Sequence, residues 1–170
     1  FTLWAMNEVA PVHVTGRIHS ETRQMADSPA VPLEFSGTLT FVDGASASFY
    51  CSFTTANAQW AIVSGAKGLL QVSDFVLPFS GMKTQFSLTR SAFAIDGCRA
   101  DMHEGRQIET LEEPSSNAPG SQESALFRTF SQRVLSGQID SRWPQISLLT
   151  QRVLDACLRS AREGAVVVSV

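Results

Sequence analysis

Residues 33–54, LEFSGTLTFVDGASASFYCSFT, decide the fold. Leu33, Phe35, Gly37, Leu39 and Phe41 alternate with polar residues, the period-two signature of a strand with one buried face. Asp43-Gly44 follows and is the strongest short-range hairpin signal in the chain, since glycine readily takes the positive φ that a tight turn demands. Ala45, Ala47, Phe49, Cys51 and Phe53 then return with the same alternation. Upstream, Val12, Val14, Gly16 and Ile18 alternate with His13, Thr15, Arg17 and His19, which predicts a third strand of the same kind. Residues 21–32 are polar, hold Pro29 and Pro32, and read as the loop between. Residues 1–8 could be the tail of a helix that Pro11 stops.

Downstream, residues 60–64 and 69–72 form another strand pair joined through Gly65-Ala66-Lys67-Gly68. Asp74-Phe75-Val76-Leu77-Pro78-Phe79 is a turn-like apolar knot, and residues 84–89, 92–95 and 107–111 are weaker strand candidates. Residues 112–120 are rich in Pro, Ser and Gly and read as a loop within the domain. The period then changes. Leu126, Phe127, Phe130, Val134 and Leu135 fall at helical spacing, with Ser121 as N-cap and Gly137 at the C′ position. Pro144 precedes a second helix capped by Ser147, whose apolar face is Leu149, Val153, Ala156, Cys157 and Ala161 and which Gly164 ends. Residues 165–170 are a last short strand. Strands first and helices afterwards define an α+β fold: one domain over residues 1–170, with a large, mostly antiparallel open sheet and helices packed on one face.

That arrangement leaves a second sheet face. Thr38, Thr40, Ser46, Ser48, Ser52 and Trp60 are its expected residues, and they carry almost no charge. Such a face is either solvated, as antiparallel sheets allow, or a contact with another subunit. The second reading predicts a homo-oligomer, a dimer or higher, through the open face.

Bulk properties exclude several classes. Of 170 residues, 44% are hydrophobic and 17% charged, a composition that folds. A net charge of -3 supplies no basic stripe for nucleic acid. No apolar run reaches the roughly 18–20 residues that span a bilayer. The first residues lack the positive region of a signal peptide, and the chain opens at Phe1 inside an apolar stretch, which reads as a fragment. Cys51, Cys98 and Cys157 are scattered and odd in number, the pattern of reduced thiols in the cytoplasm rather than a zinc site or a disulfide framework.

No complete catalytic constellation is legible. The chain has no G-x-G-x-x-G, no P-loop, no H-E-x-x-H and no G-x-S-x-G. His13 and His19 share a strand face but lie roughly 20 Å apart in an extended chain, too far for one metal ion. Asp96, Cys98, Asp101, His103 and Glu104 crowd into DGCRADMHEG, a composition that a hairpin tip also predicts. Glu112-Glu113 read as a solvated acidic run. Asp74, at a strand end before an aromatic knot, either starts a turn through its backbone or lines a pocket.

Two stretches resemble a known family. GTLTFVDGASASFYCSF (residues 37–53), followed by VSGAKGLLQVSDFVLPF (63–79), resembles the C-terminal domain of the glucose–fructose oxidoreductase / inositol dehydrogenase (Gfo/Idh/MocA) family. Within residues 136–164, Gly137, Asp140, Trp143-Pro144, Ser147, Asp155-Ala156 and Ser160 match the same family's closing helix region. The members it most resembles are the dihydrodiol-dehydrogenase-like sugar oxidoreductases.

The resemblance implies a two-domain enzyme. A Rossmann domain, absent from this chain, binds NAD or NADP and carries a lysine in an EKP-like motif; Lys67 and Lys83 stand in unrelated contexts. The C-terminal domain shapes the substrate pocket and oligomerises through its sheet. The match begins just after the helix start that supplies a catalytic Tyr or His, so no catalytic residue carries over. The resemblance places Asp74, Phe75 and Phe79 nearest a small-molecule substrate, a sugar, polyol or diol, and the fragment alone is expected to be inactive and cofactor-free. Two alternatives remain: a non-enzymatic dimerisation or binding module on the same open sheet, and a stand-alone hydrolase using Asp74 or the Asp96–His103 cluster.

Overall fold

Asp43-Gly44 turns the chain as its chemistry requires. In the computed structural model, which describes residues 1–23, 25–74, 76, 83–112 and 118–170, Gly44 has φ +84°. Its N–H donates to the Phe41 carbonyl at 3.0 Å, and Phe41 N–H donates to the Ala45 carbonyl at 2.9 Å. The Asp43 carboxylate accepts from Ala45 N–H at 3.0 Å. The elements in order are α1 (Thr2–Ala5), β1 (His13–Thr22), β2 (Val31–Thr40), β3 (Ser46–Ser52), β4 (Ala61–Gly65), β5 (Gly68–Val72), β6 (Lys83–Asp96), β7 (Arg99–Glu112), α2 (Gln122–Ser136), α3 (Arg142–Arg162) and β8 (Val168–Ser169). The α+β class and the antiparallel pairing hold. Among the described residues the strands form two four-stranded sheets, where the sequence suggested one large sheet, and the chain divides into two compact units, residues 1–56 with 140–170 and residues 57–139.

The first unit carries the sheet β3-β2-β1-β8 with α3 on one face. Its core is Val14, Phe35, Leu39, Phe41, Val153, Ala156, Cys157 and Val168. These are the inward positions of the alternating strands and one stripe of α3. Fully burying each large aliphatic side chain stabilises the fold by about 1.5–3 kcal/mol. Gly16 lies opposite Gly37 in the β1–β2 ladder. A Cβ on Gly16 would lie 2.1 Å from the Cys157 carbonyl oxygen. Glycine is therefore what lets α3 lie directly on β1.

The Gly16 N–H donates to Ser160 Oγ at 2.9 Å, and the same hydroxyl donates to the Val166 carbonyl. β8 pairs with β1 only at His13 and Val14. Ser160, fully buried, thus takes over where the ladder stops and satisfies a backbone donor that would otherwise be orphaned in the core.

α3 starts five residues before the predicted Ser147 cap. Pro144 sits at its third residue, where the missing N–H would have had no intrahelical partner in any case. The Arg142 N–H is met by Asp140 Oδ1 at 3.2 Å, in place of a capping serine hydroxyl. Arg142 also pairs with Glu8 through Nε, at 2.7 Å, and through its terminal nitrogen. The hydrogen bond to Glu8, more than its charge, holds the guanidinium proton still more firmly than usual. This ion pair ties the segment after α1 to the start of α3. Two successive non-glycine residues, Asn7 and Glu8, take positive φ there, at +52° and +62°.

The second unit carries the sheet β4-β5-β6-β7. The three weaker strand candidates merge into β6 and β7, paired from Lys83–Glu112 to Asp96–Arg99 around a two-residue turn, Gly97-Cys98. Gly97 has φ +58°, as the first central position of a primed hairpin turn requires. Pairing with β5 stops at Thr89, so residues 90–105 run on as a two-stranded ribbon exposed along most of its length. α2 keeps both predicted caps: Ser121 accepts from Ser124 N–H at 3.2 Å, and Gly137 closes the helix at φ +64°. None of its residues is buried, and Leu126, Phe127, Phe130 and Val134 are exposed.

Candidate functional site

β1, β2 and β3 bring one set of alternate side chains onto the face of the first sheet opposite α3. Thr38 pairs with Ser48, Thr40 with Ser46, and Glu34 with Ser52. The predicted face residues Thr38, Thr40, Ser46, Ser48 and Ser52 therefore do share one surface, and Thr38 and Ser48 lie within hydrogen-bond reach at 3.5 Å. Trp60 is not part of the first sheet. It immediately precedes β4 in the second unit and is 61% exposed. Alternation assigns a residue to a face but not to a sheet.

The same face holds a polar cluster that the sequence reading missed. Register shifts around Ile18, Ser20 and Glu21 mark a bulge in β1, which re-aims side chains so that Ser20 faces Glu34. Ser20 Oγ donates to Glu34 Oε2 at 3.4 Å, and the Tyr50 hydroxyl donates to Glu34 Oε1. His19 Nε2 lies 2.9 Å from Ser36 Oγ, and its ring centroid is 6.2 Å from that of Tyr50. A usable signal existed: Glu34, Ser36, Tyr50 and Ser52 share the parity of the predicted threonines and serines.

Tyr50 is the chain's one tyrosine. Its hydrogen bond to Glu34, the largest influence, raises its pKa, because the phenol donates to a carboxylate only while protonated. The folded chain thus holds this proton more tightly than the unfolded one. The associated stability is present below the ordinary value of about 10 and is lost as pH rises through the raised value. The ultraviolet absorbance of tyrosinate is expected to titrate at higher pH in the native chain than in Glu34→Gln. Coincident curves would remove Glu34 as the cause.

On the α3 side, the first unit has a cavity of about 400 Å³ lined by Pro32, Phe35, Phe49, Phe53, Leu154 and Leu158, with the Cys51 and Cys157 thiols in its wall. Phe35 and Phe49 stack at 5.9 Å between centroids. Burial raises both thiol pKa values, which keeps Cys51 and Cys157 protonated and poor nucleophiles.

Asp74 follows β5, is half-buried, and forms an isolated parallel bridge with Gln59. Phe75 and Phe79, its predicted companions, lie outside the described residues. The DGCRADMHEG segment is a hairpin: Gly97-Cys98 is the turn, and His103 sits opposite Ala92 well down the ribbon. Among the described residues no three His, Cys, Asp or Glu are placed to hold a metal ion, and no helix is long and apolar enough to cross a membrane.

No family model matches the chain. Among solved structures, the aldose-aldose oxidoreductase from Caulobacter crescentus, complexed with glycerol, is similar to it. Part of that oxidoreductase has this fold. The TM-score is 0.58 at 20% sequence identity, over 99% of this chain and 45% of that one. The chain therefore spans less than half the length of the structure it matches. This chain's strands pair antiparallel, and it has no G-x-G-x-x-G turn to place a pyrophosphate on a helix N-terminus.

Proposed function

We propose that this chain is the substrate-binding and oligomerisation domain of an NAD(P)-dependent oxidoreductase of the Gfo/Idh/MocA family, acting on a sugar, polyol or diol in the cytoplasm. The observation that carries the reading is the fold match along 99% of the chain to a portion of an aldose-aldose oxidoreductase. The motif order in residues 37–79 and 136–164 supports it independently. Hydride transfer needs a nicotinamide held against the substrate carbon, and in this reading a separate nucleotide-binding domain supplies it. This chain's part is to hold and orient the substrate. Asp74 would accept hydrogen bonds from sugar hydroxyls, with Phe75 and Phe79 against the carbon skeleton. The Thr38, Thr40, Ser46, Ser48 and Ser52 face would pair subunits.

The low charge of that face also suits a non-enzymatic dimerisation module, and one experiment separates the readings. The 170-residue chain is titrated with NADH and NADPH by fluorescence, and with aldoses and polyols by saturation-transfer NMR. The expected result is no saturable binding of either nucleotide at micromolar concentration, with saturation transfer to at least one aldose or polyol that Asp74→Ala weakens. Micromolar nucleotide binding would overturn the assignment of the cofactor to another domain. Absence of transfer to every sugar and polyol would favour the module.

A further inference from the structure

β7 ends the sheet order β4-β5-β6-β7, and among the described residues no strand pairs with its outer edge. It runs for 14 residues, most of them exposed. A long unpaired edge is a template for another strand. Natural sheets blunt such edges by placing charges without regard to a partner, so the arrangement of the charges decides what this edge is for.

The register fixes which backbone groups point outward. In a two-residue hairpin the closing pair, here Asp96–Arg99, exchanges hydrogen bonds, and so does every second pair after it. Arg99, Asp101, His103 and Gly105 therefore bond to β6. Ala100, Met102, Glu104, Arg106, Ile108 and Thr110 direct their N–H and C=O groups to the open edge. Their side chains share one face of the sheet, the face on which Phe93 lies opposite Met102 and Ser87 opposite Ile108.

We propose that β7 pairs antiparallel with β7 of a second copy of this chain about a two-fold axis through Gly105, joining two second-unit sheets edge to edge. Centred there, the outward-pointing residues meet one another. Glu104 of one copy faces Arg106 of the other, twice per dimer. Met102 faces Ile108, also twice, beside Phe93. Among the described residues neither Glu104 nor Arg106 has an ion-pair partner within its own chain. Opposite charges directly across a ladder stabilise, and like charges destabilise. Shifting the axis by one residue along the strand, to Glu104 or Arg106, would set a like charge against itself. Gly105 at the centre removes side chains where the two backbones come closest. About a dozen inter-strand hydrogen bonds would form in this register. The contact is separate from the Thr/Ser face of the first sheet and does not rest on the oxidoreductase reading.

The test is a charge exchange read by sedimentation. Glu104→Arg and Arg106→Glu should each weaken one association step by about tenfold or more, since each turns both pairs repulsive. Mixing the two variants at equal concentration should restore that step, because in the mixed dimer positions 104 and 106 again meet across the axis with opposite charges, both times. A second variant avoids any folding ambiguity. Gly105→Cys is sterically free, with its nearest neighbour 3.8 Å away. In a Cys51→Ser/Cys98→Ser background it should form an interchain disulfide under mild oxidation, since the central pair is the close, non-hydrogen-bonded kind. Unchanged association in both single variants, a mixture that stays dissociated, or no disulfide through position 105 would each overturn the proposal.

Discussion

Gly16→Ala is expected to destabilise the first unit by about 3 kcal/mol or more, the upper end for overpacking a core, because the new methyl group meets backbone rather than a side chain that can turn away. The added Cβ would stand 2.1 Å from the Cys157 carbonyl oxygen and 2.7 Å from the Phe35 ring. Relief requires α3 to lift off β1, which opens the contact between Val14, Val153 and Cys157 at the centre of the core. Against a typical domain stability of about 5–15 kcal/mol that is a large fraction. Urea denaturation followed by circular dichroism measures it, with Gly65→Ala as control, since nothing lies within 4 Å of a Cβ there. If the two variants unfold at the same urea concentration, the close packing of α3 on β1 is wrong.

Ser160→Ala should rank second. The substitution removes the acceptor for the Gly16 N–H and the donor to the Val166 carbonyl in one step, in a site with no exposed surface. The buried Gly16 N–H left unpaired costs about 1–3 kcal/mol and the Val166 carbonyl, on an exposed residue, less, so a loss of about 2–4 kcal/mol is expected. Hydrogen exchange supplies a readout that lost packing alone would not give: the Gly16 amide should lose protection before those of β2. A loss below about 0.5 kcal/mol, with Gly16 still protected, would mean that the hydroxyl is dispensable.

How much of this was legible depended on burial. β1, β2 and β3 each present one side to α3, so Val14, Phe35, Leu39 and Phe41 alternate cleanly with polar residues and could be read directly. β6 and β7 are exposed on both faces beyond Thr89. Nothing there selects apolar residues at every second position, and two 14-residue strands looked like three short ones. Pro144 misled because proline marks a helix boundary only outside the first turn, where every N–H is needed. The Thr/Ser surface was legible from parity, but Trp60 was not, since pairing partners are a non-local property. The Glu34–Tyr50 contact joins residues 16 apart, and the Ser20–Glu34 contact depends on a bulge that no propensity announces.

The Gly16–Ser160 hydrogen bond spans 144 positions of sequence, which bears on how the chain is made. On a ribosome, β1, β2 and β3 emerge before α3, with Val14, Phe35, Leu39 and Phe41 facing nothing. Their cover, Val153, Ala156 and Cys157, is translated only after the whole of the second unit. At about 5–20 residues per second the interval is roughly 5–20 s. The second unit, continuous in sequence, can complete itself within that time. During that interval the nascent chain carries a naked apolar sheet, a natural client surface for chaperones, until α3 has been made to close it.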